Sequence, residues 1–290
     1  LPKIQILNKK VRVARLSIFS NLLLILMKVI VGIFSGSVSI LSEAIHSFMD
    51  LLASVIAFFS VRVSDTPADD EHPYGHGKFE NISGVAEALL IFIAAGWIIY
   101  EAVKRIIDPQ GVENIGIGLV VMIISGVVNM IVSRKIYRVA KETDSVALEA
   151  DALHLKTDVY TSFGVALGLL LMWLTGIHLL DPIIAILVAL LILKESFELF
   201  NKAYAPLLDT ALPKEEVVAI RLVIQHHCTE EMSFHNLRTR KAGNYKYVDF
   251  HLTLDPSMTV KAAHEICDQI EEDLKKSVQN LEVTIHVEDF

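Results

Sequence analysis

Long apolar stretches occupy residues 15 to 200, and two of them carry ionisable pairs at one spacing: His46 and Asp50 in ILSEAIHSFMDLLASVIAFFS, and His154 and Asp158 in LEADALHLKTDVYTSFGVALGLLL. An ionisable side chain inside a membrane span costs several kcal/mol unless something pairs with it. The chain must therefore fold so that these groups meet each other or a cation. That the runs are membrane spans follows from composition: hydrophobic residues make up 53% of 290 positions and the mean hydropathy is +0.49, above the roughly 45 to 50% apolar content of soluble domains.

Runs of about 20 apolar residues suffice to cross a bilayer. Such runs fall near 15–35, 40–62, 82–103, 114–133, 148–174 and 179–200, predicting a six-helix transmembrane domain over 1–208. The first run is not followed by a small-residue cleavage site, which predicts that it is retained rather than removed as a signal peptide. Lys3, Lys9, Lys10, Arg12 and Arg15 precede the first span, and Arg134, Lys135, Arg138 and Lys141 follow the fourth. The connections after spans one, three and five are nearly free of such residues apart from Lys104 and Arg105, so both termini are expected in the cytoplasm.

Past Pro206 hydropathy falls and short alternating segments appear, marking a second domain over 209–290. The pattern predicts helix from 214, strand SFHNLRTRKA, a turn at Gly243 and Asn244, strand YKYVDFHLTLD, helix VKAAHEICDQIEEDLKK and strand LEVTIHVEDF, a small α+β sandwich of order αββαβ. Alternation places Val248, Phe250, Leu252 and Leu254 on one face and His251 on the other. Cys228 and Cys267 both fall in this domain, where thiols stay reduced, and are expected to serve packing. The net charge of −8 favours cations over nucleic acid as partners.

Residues four apart share a helix face, about 6 Å along the axis. If spans two and five pack together, two imidazoles and two carboxylates converge on a four-coordinate nitrogen and oxygen site, a geometry zinc accepts. Two neutral imidazoles and two carboxylates carry a formal charge of minus two, which one divalent cation neutralises. Emptied of metal, the site reaches the same neutrality with a proton on each histidine, whose ordinary pKa is about 6.5. One cation then exchanges for two protons. The competing reading, that these groups only bond across helices, has precedent among polar residues in spans. Asn21, Lys28 and Asn129 lack such matched partners and are expected to pack or, for the lysine, to snorkel. Glu43 and Asp151, three residues before the two histidines, are either an access path or, preferably, interfacial anchors.

With its apolar runs, its i, i+4 pairs in spans two and five and its polar tail, the chain resembles the cation diffusion facilitator family over nearly its full length. That resemblance implies a homodimeric metal/proton antiporter, not an enzyme, that moves divalent cations out of the cytoplasm by alternating access, with His46, Asp50, His154 and Asp158 as the transport ligands. Histidine at position 46 argues for zinc over iron, manganese or cadmium, with cobalt a further alternative, since softer nitrogen donors favour zinc over manganese. In the loop DTPADDEHPYGHGKFE the resemblance implies a second site of Asp69, His72 and His76, kept compact by Gly75 and Gly77. It implies a pairing of Lys78 with Asp209 between the domains. It also implies a regulatory zinc cluster of His235, His251, His264, His286 and Glu288, with Glu288 where aspartate is commoner and Val287 in place of a polar residue. Without a histidine-rich loop between spans four and five, a prokaryotic plasma membrane is expected. Two rival classes are an intramembrane metalloenzyme, for which no separate base is evident, and a membrane-tethered metal sensor, which leaves the buried pairs unexplained.

Overall fold

The computed structural model describes residues 3–35, 38–108, 115–177, 179–229 and 232–289, apart from the side chains of 3–6, 32, 35, 38–46, 49, 115–118, 165, 169, 172–173 and 181. His46 and Glu43 are among those side chains and lie outside the described residues, although their backbone belongs to a helix. Two compact units meet at the Tyr204/Ala205 bond.

Among the described residues, the first unit has six long helices: α1 (Lys3–Ser35), α2 (Val38–Ser64), α3 (Lys78–Ile107), α4 (Ile115–Thr143), α5 (Val146–Thr175) and α6 (Leu180–Tyr204). Several exceed the apolar runs because charged turns extend them. Helix α1 begins at Lys3 and takes in Lys9, Lys10 and Arg12, and α4 continues through Arg134, Arg138 and Lys141, where hydropathy is silent but helix propensity is high. Among the described residues, Leu7–Val31, Lys78–Ile107 and Leu119–Thr143 are long and apolar enough to span a membrane by length and composition.

The surface of this unit is inverted relative to a soluble protein. Phe19, Leu26, Ile33, Ile93 and Trp97 are exposed, whereas Lys10, Ser17, Asn21, Asp50, Ser54, Glu80, Glu87 and Asp151 are buried. Lipid already solvates apolar side chains, so helices in a bilayer associate through close packing of small residues and interhelical hydrogen bonds. Helix α3 lies against α6, with Ala88, Ile91, Ala95, Ile192 and Leu199 in one apolar cluster. At Gly84 of α3 both α5 and α6 come close: a Cβ there would lie 2.9 Å from Val146 Cγ1 and 3.0 Å from Ala203 Cβ.

The second unit opens with a 3-10 turn, Ala205–Leu208, and continues through α7 (Lys214–His227), β1 (Ser233–Ala242), β2 (Tyr245–Leu254), α8 (Val260–Ser277) and β3 (Leu281–Asp289). The Thr259 hydroxyl caps α8 by accepting from the Ala262 N–H at 3.3 Å. Glu215 and Glu216 in the first turn of α7 complement its dipole. Strand β2 is central, antiparallel to β1 and parallel to β3. Val248, Phe250, Leu252 and Leu254 are buried beneath Ile220, Ile224, Ile270 and Leu274 of the two helices.

Candidate metal centres

Asp50 on α2 and His154 and Asp158 on α5 come together inside the helical unit, all three buried, with ligand atoms within 4.8 Å of one another. Asp50 Oδ1 lies 3.1 Å from His154 Nε2. Asn129 of α4 donates to Asp158 Oδ2 at 3.5 Å. The packing that joins α2 to α5 is itself polar. Ser17 and Ser54 each donate to Asp151 Oδ1 at 3.0 Å, and Asn21 donates to Ser54 Oγ at 2.8 Å and to the Asp50 carbonyl at 3.4 Å. Asn21 is therefore a packing residue. Asp151, expected at the membrane interface, is instead fully buried, because two hydroxyls from α1 and α2 meet its carboxylate there. Lys28 does not snorkel; its buried ammonium donates to Ser47 Oγ at 2.7 Å.

The unit's polar interior forms further layers along the helices. Lys10 and Glu80 are both 0% exposed and pair at 2.9 Å, with Asp65 3.4 Å from the same ammonium. Ser64 and Ser145 donate to Glu80 at 3.1 and 2.7 Å. Seven residues beyond Glu80 on α3 stands Glu87, whose carboxylate is fully buried and accepts from Ser83 at 3.3 Å. Glu87 is not matched by a histidine at helical spacing, and His76, four residues before Glu80, falls ahead of α3 in the loop, so a search for ligand pairs within spans passes over both acids. The available signal is a lone acid in the apolar run GVAEALLIFIAAGW. A separate cavity of 590 Å³ between α4, α5 and α6 is lined by Met130, Leu153 and Val159, with Glu195, Glu198 and Lys202 also in its wall. Asp50, His154 and Asp158 do not line it.

The loop between α2 and α3 gathers Asp69, His72 and His76. Asp69 Oδ1 accepts from the His72 backbone N–H at 2.6 Å and from that of Glu71 at 3.1 Å. Asp69 Oδ2 lies 3.3 Å from His76 Nε2, and the two imidazole centroids are 4.4 Å apart. The His72 N–H, chiefly, holds the Asp69 carboxyl below its usual range. Gly75 has φ +80, which only glycine adopts without strain, so it closes the turn. Gly77 has an ordinary helical φ of −53 and starts α3.

In the second unit, strand register assembles a row of imidazoles. His235 pairs with His251, and His251 with His286, across the three strands. Ring centroids are 5.1 and 4.7 Å apart. Glu288 reaches back over this row, with Oε1 3.1 Å from His235 Nε2 and Oε2 3.0 Å from His251 Nδ1. His235, His251 and Glu288 have metal-ligand spacing, and His286 Nε2 lies 4.0 Å from Glu288. Two lone-pair donors facing a carboxylate are a set suited to zinc. His264 sits on α8, mostly exposed, with Asp268 3.7 Å away, and is not brought to the row within the chain. Burial pushes the Cys228 and Cys267 thiols up, keeping them protonated and fit for packing. Lys78 opens α3 in the first unit, whereas Asp209 belongs to the second, where its carboxylate is 3.6 Å from Arg240.

Comparison with known proteins bears on these geometries. Residues 14–208 match the family profile described as the cation efflux transmembrane domain, and residues 212–290 match that of the cation efflux protein, cytoplasmic domain. The uncharacterised transporter sll1263 of Synechocystis is 35% identical over 254 residues, covering 88% of this chain and 82% of the relative. The cation-efflux pump FieF of Shewanella oneidensis is 33% identical over 273 residues, covering 94% and 92%. A solved structure concerned with the mode of action of CzrB is 37% identical, covering 28% of this chain and 99% of that one, with a TM-score of 0.27. The second profile is that of a dimer domain and supports a homodimer. The chain belongs to the cation diffusion facilitator family and is a membrane transporter of the cation efflux type, not an enzyme.

Proposed function

We propose that this transporter exports a divalent cation, zinc first, in exchange for protons, through a site of His46, Asp50, His154 and Asp158. The observation that carries this reading is the convergence of Asp50, His154 and Asp158 in the interior of the helical unit, on two helices, with ligand atoms within 4.8 Å. His46 stands four residues before Asp50 in α2. Buried carboxylates need a compensating cation, and imidazole with carboxylate suits zinc better than manganese. Charge counting then sets the exchange: a site of formal charge minus two is neutralised by one divalent cation or by two protons. In the cycle, metal reaches the site from the cytoplasm and protonation of a histidine on the far side releases it, since an imidazolium has no lone pair for metal.

Both termini face the cytoplasm in this reading, the membrane is a prokaryotic plasma membrane, and the histidine row of the second unit senses cytoplasmic metal. The test is zinc flux into reconstituted vesicles under an imposed proton gradient, with manganese, iron, cadmium and cobalt alongside. Gradient-driven zinc flux that Asp50→Ala abolishes is expected. Zinc flux that survives Asp50→Ala removes the site, and faster iron or manganese than zinc reassigns the cargo. Flux driven strongly by membrane voltage at fixed pH contradicts the one-for-two exchange.

A further inference from the structure

His154 presents its two ring nitrogens to different surroundings. Nε2 faces Asp50, where the candidate ligand atoms converge. Nδ1 is buried and has no hydrogen-bond partner among the described residues. A neutral imidazole that gives its Nε2 lone pair to a cation carries its proton on Nδ1. In metal sites that N–H is almost always given to a carboxylate, a carbonyl or a water, and the acceptor fixes the ring's orientation and raises its basicity. A loaded His154 therefore needs an acceptor that neither Asp50 nor Asp158 can supply while ligating.

Asp151 and Glu87, both buried and outside the ligand set, each have one oxygen without a hydrogen-bond partner among the described residues, Asp151 Oδ2 and Glu87 Oε2. Asp151 is anchored across helices, because its Oδ1 accepts from the hydroxyls of Ser17 and Ser54, which fix it to α1 and α2. Glu87 accepts from Ser83, one turn earlier on its own helix, which leaves its carboxylate freer to turn toward a new donor. The chain neighbours of Glu87, Asp151 and His154 share one apolar cluster across the packed α3/α5 surfaces, where Ala88 and Ile91 meet Ala150 and Leu153. An unmet acceptor on α3 and an unmet donor position on α5 thus lie in one water-poor interior, and each supplies what the other lacks.

We propose that Glu87 is a positioning residue of the transport site, accepting the Nδ1 proton of His154 when Nε2 holds the cation. The inference rests on the reading of Asp50, His154 and Asp158 as transport ligands. Its consequence is mechanical: α3 carries none of those ligands, yet occupancy of the site draws it toward α5. Loading is thereby conveyed to the α3/α6 pair, which packs as one apolar cluster.

The test uses the full chain in vesicles, measuring zinc flux against zinc concentration for Glu87→Leu and Glu87→Gln. Glu87→Leu removes the acceptor and is expected to raise the half-saturating zinc concentration about 10- to 100-fold, the loss seen when partners of ligating histidines are removed. Glu87→Gln keeps a carbonyl acceptor of the same length and is expected to recover most of that loss. Glu87→Leu with parental half-saturation overturns the proposal, and so does Glu87→Gln as poor as the leucine variant, which would assign the effect to charge alone. If Glu87→Leu fails to assemble, judged by elution and by zinc binding at the cytoplasmic row, the smaller Glu87→Ala carries the same two outcomes. Asp50→Ala run in parallel separates the two readings. Flux that survives it overturns the transport site itself, whereas lost flux in Asp50→Ala with parental half-saturation in Glu87→Leu overturns only the role of Glu87.

Discussion

Replacing Lys10 by methionine leaves a deeply buried carboxylate without its cation, and the structure sets the size of the penalty. Both partners are 0% exposed and the Nζ to Oε1 distance is 2.9 Å. At the effective dielectric near 20 that suits protein sites, that separation corresponds to roughly 6 kcal/mol of attraction, offset by the desolvation of both ions. Removing one member exposes the desolvation term alone, so Lys10→Met is expected to cost about 3–5 kcal/mol. At about 1.4 kcal/mol per tenfold, that is two to more than three orders of magnitude in the folding equilibrium. The loss is sharpened because Asp65, 3.4 Å from the ammonium, also loses it. Hydrogen bonds from Ser64 and Ser145 to Glu80 remain but bring no charge. The double variant Lys10→Met with Glu80→Met removes the fully buried charge, though not that of Asp65, and should lie within about 2 kcal/mol of the parent, because apolar replacements of buried pairs are often neutral. The assay is reversible unfolding in mixed micelles followed by far-UV circular dichroism, run as a double-mutant cycle. A single variant within about 1 kcal/mol of the parent, or a double variant worse than both singles, refutes the reasoning.

Three further outcomes are expected. Gly84→Ala should destabilise the helical unit by about 1–3 kcal/mol in the same assay, because the new methyl meets Val146 Cγ1 at 2.9 Å and Ala203 Cβ at 3.0 Å, and the latter cannot rotate away. The Asp69 carboxyl is held below its usual value near 3.8, so the order it gives the α2/α3 loop is present above that value and is lost as pH falls through the depressed one. The His72 amide should therefore keep its protection against exchange, relative to the intrinsic rate, at neutral pH and lose it only in strong acid, and Asp69→Asn should lower that protection at neutral pH. Glu288→Ala should weaken zinc binding at the histidine row by about 10-fold or more while leaving the apo fold intact, read as loss of the zinc-dependent rise in melting temperature; an unchanged rise removes Glu288 from the ligand set.

Much of the architecture is legible in one dimension because its causes are local. Apolar runs report the helices of the first unit, since a span must satisfy its backbone within itself. Period-two alternation reports the strands: Ser233–Ala242 has the expected bounds, and Tyr245–Leu254 ends one residue before the sequence-based limit. The i, i+4 spacing places His154 and Asp158 on one face of α5, where they are found together with Asp50. Helix ends are less legible, as α1 and α4 show, because charged turns continue a helix that hydropathy no longer sees.

Order along the chain is enough to define the class: a polar tail behind apolar helices that carry too many ionisable groups to be inert in lipid. Tertiary structure alone decided which of those groups share an interior. Asp151 looks interfacial until Ser17 and Ser54, 134 and 97 positions away, supply its hydrogen bonds. Lys10 and Glu80, 70 positions apart, appear as two ordinary surface charges until they close on one another. Glu87 is a lone acid in an apolar run until α3 packs into the unit and buries it, and the histidine row exists only because β3 runs parallel to β2 in a register that places His286 opposite His251. Pairing of charges depends on distances of a few ångströms between segments far apart in sequence. No local pattern encodes such distances, since the free energy of a buried charge is set by whatever the rest of the fold brings to it.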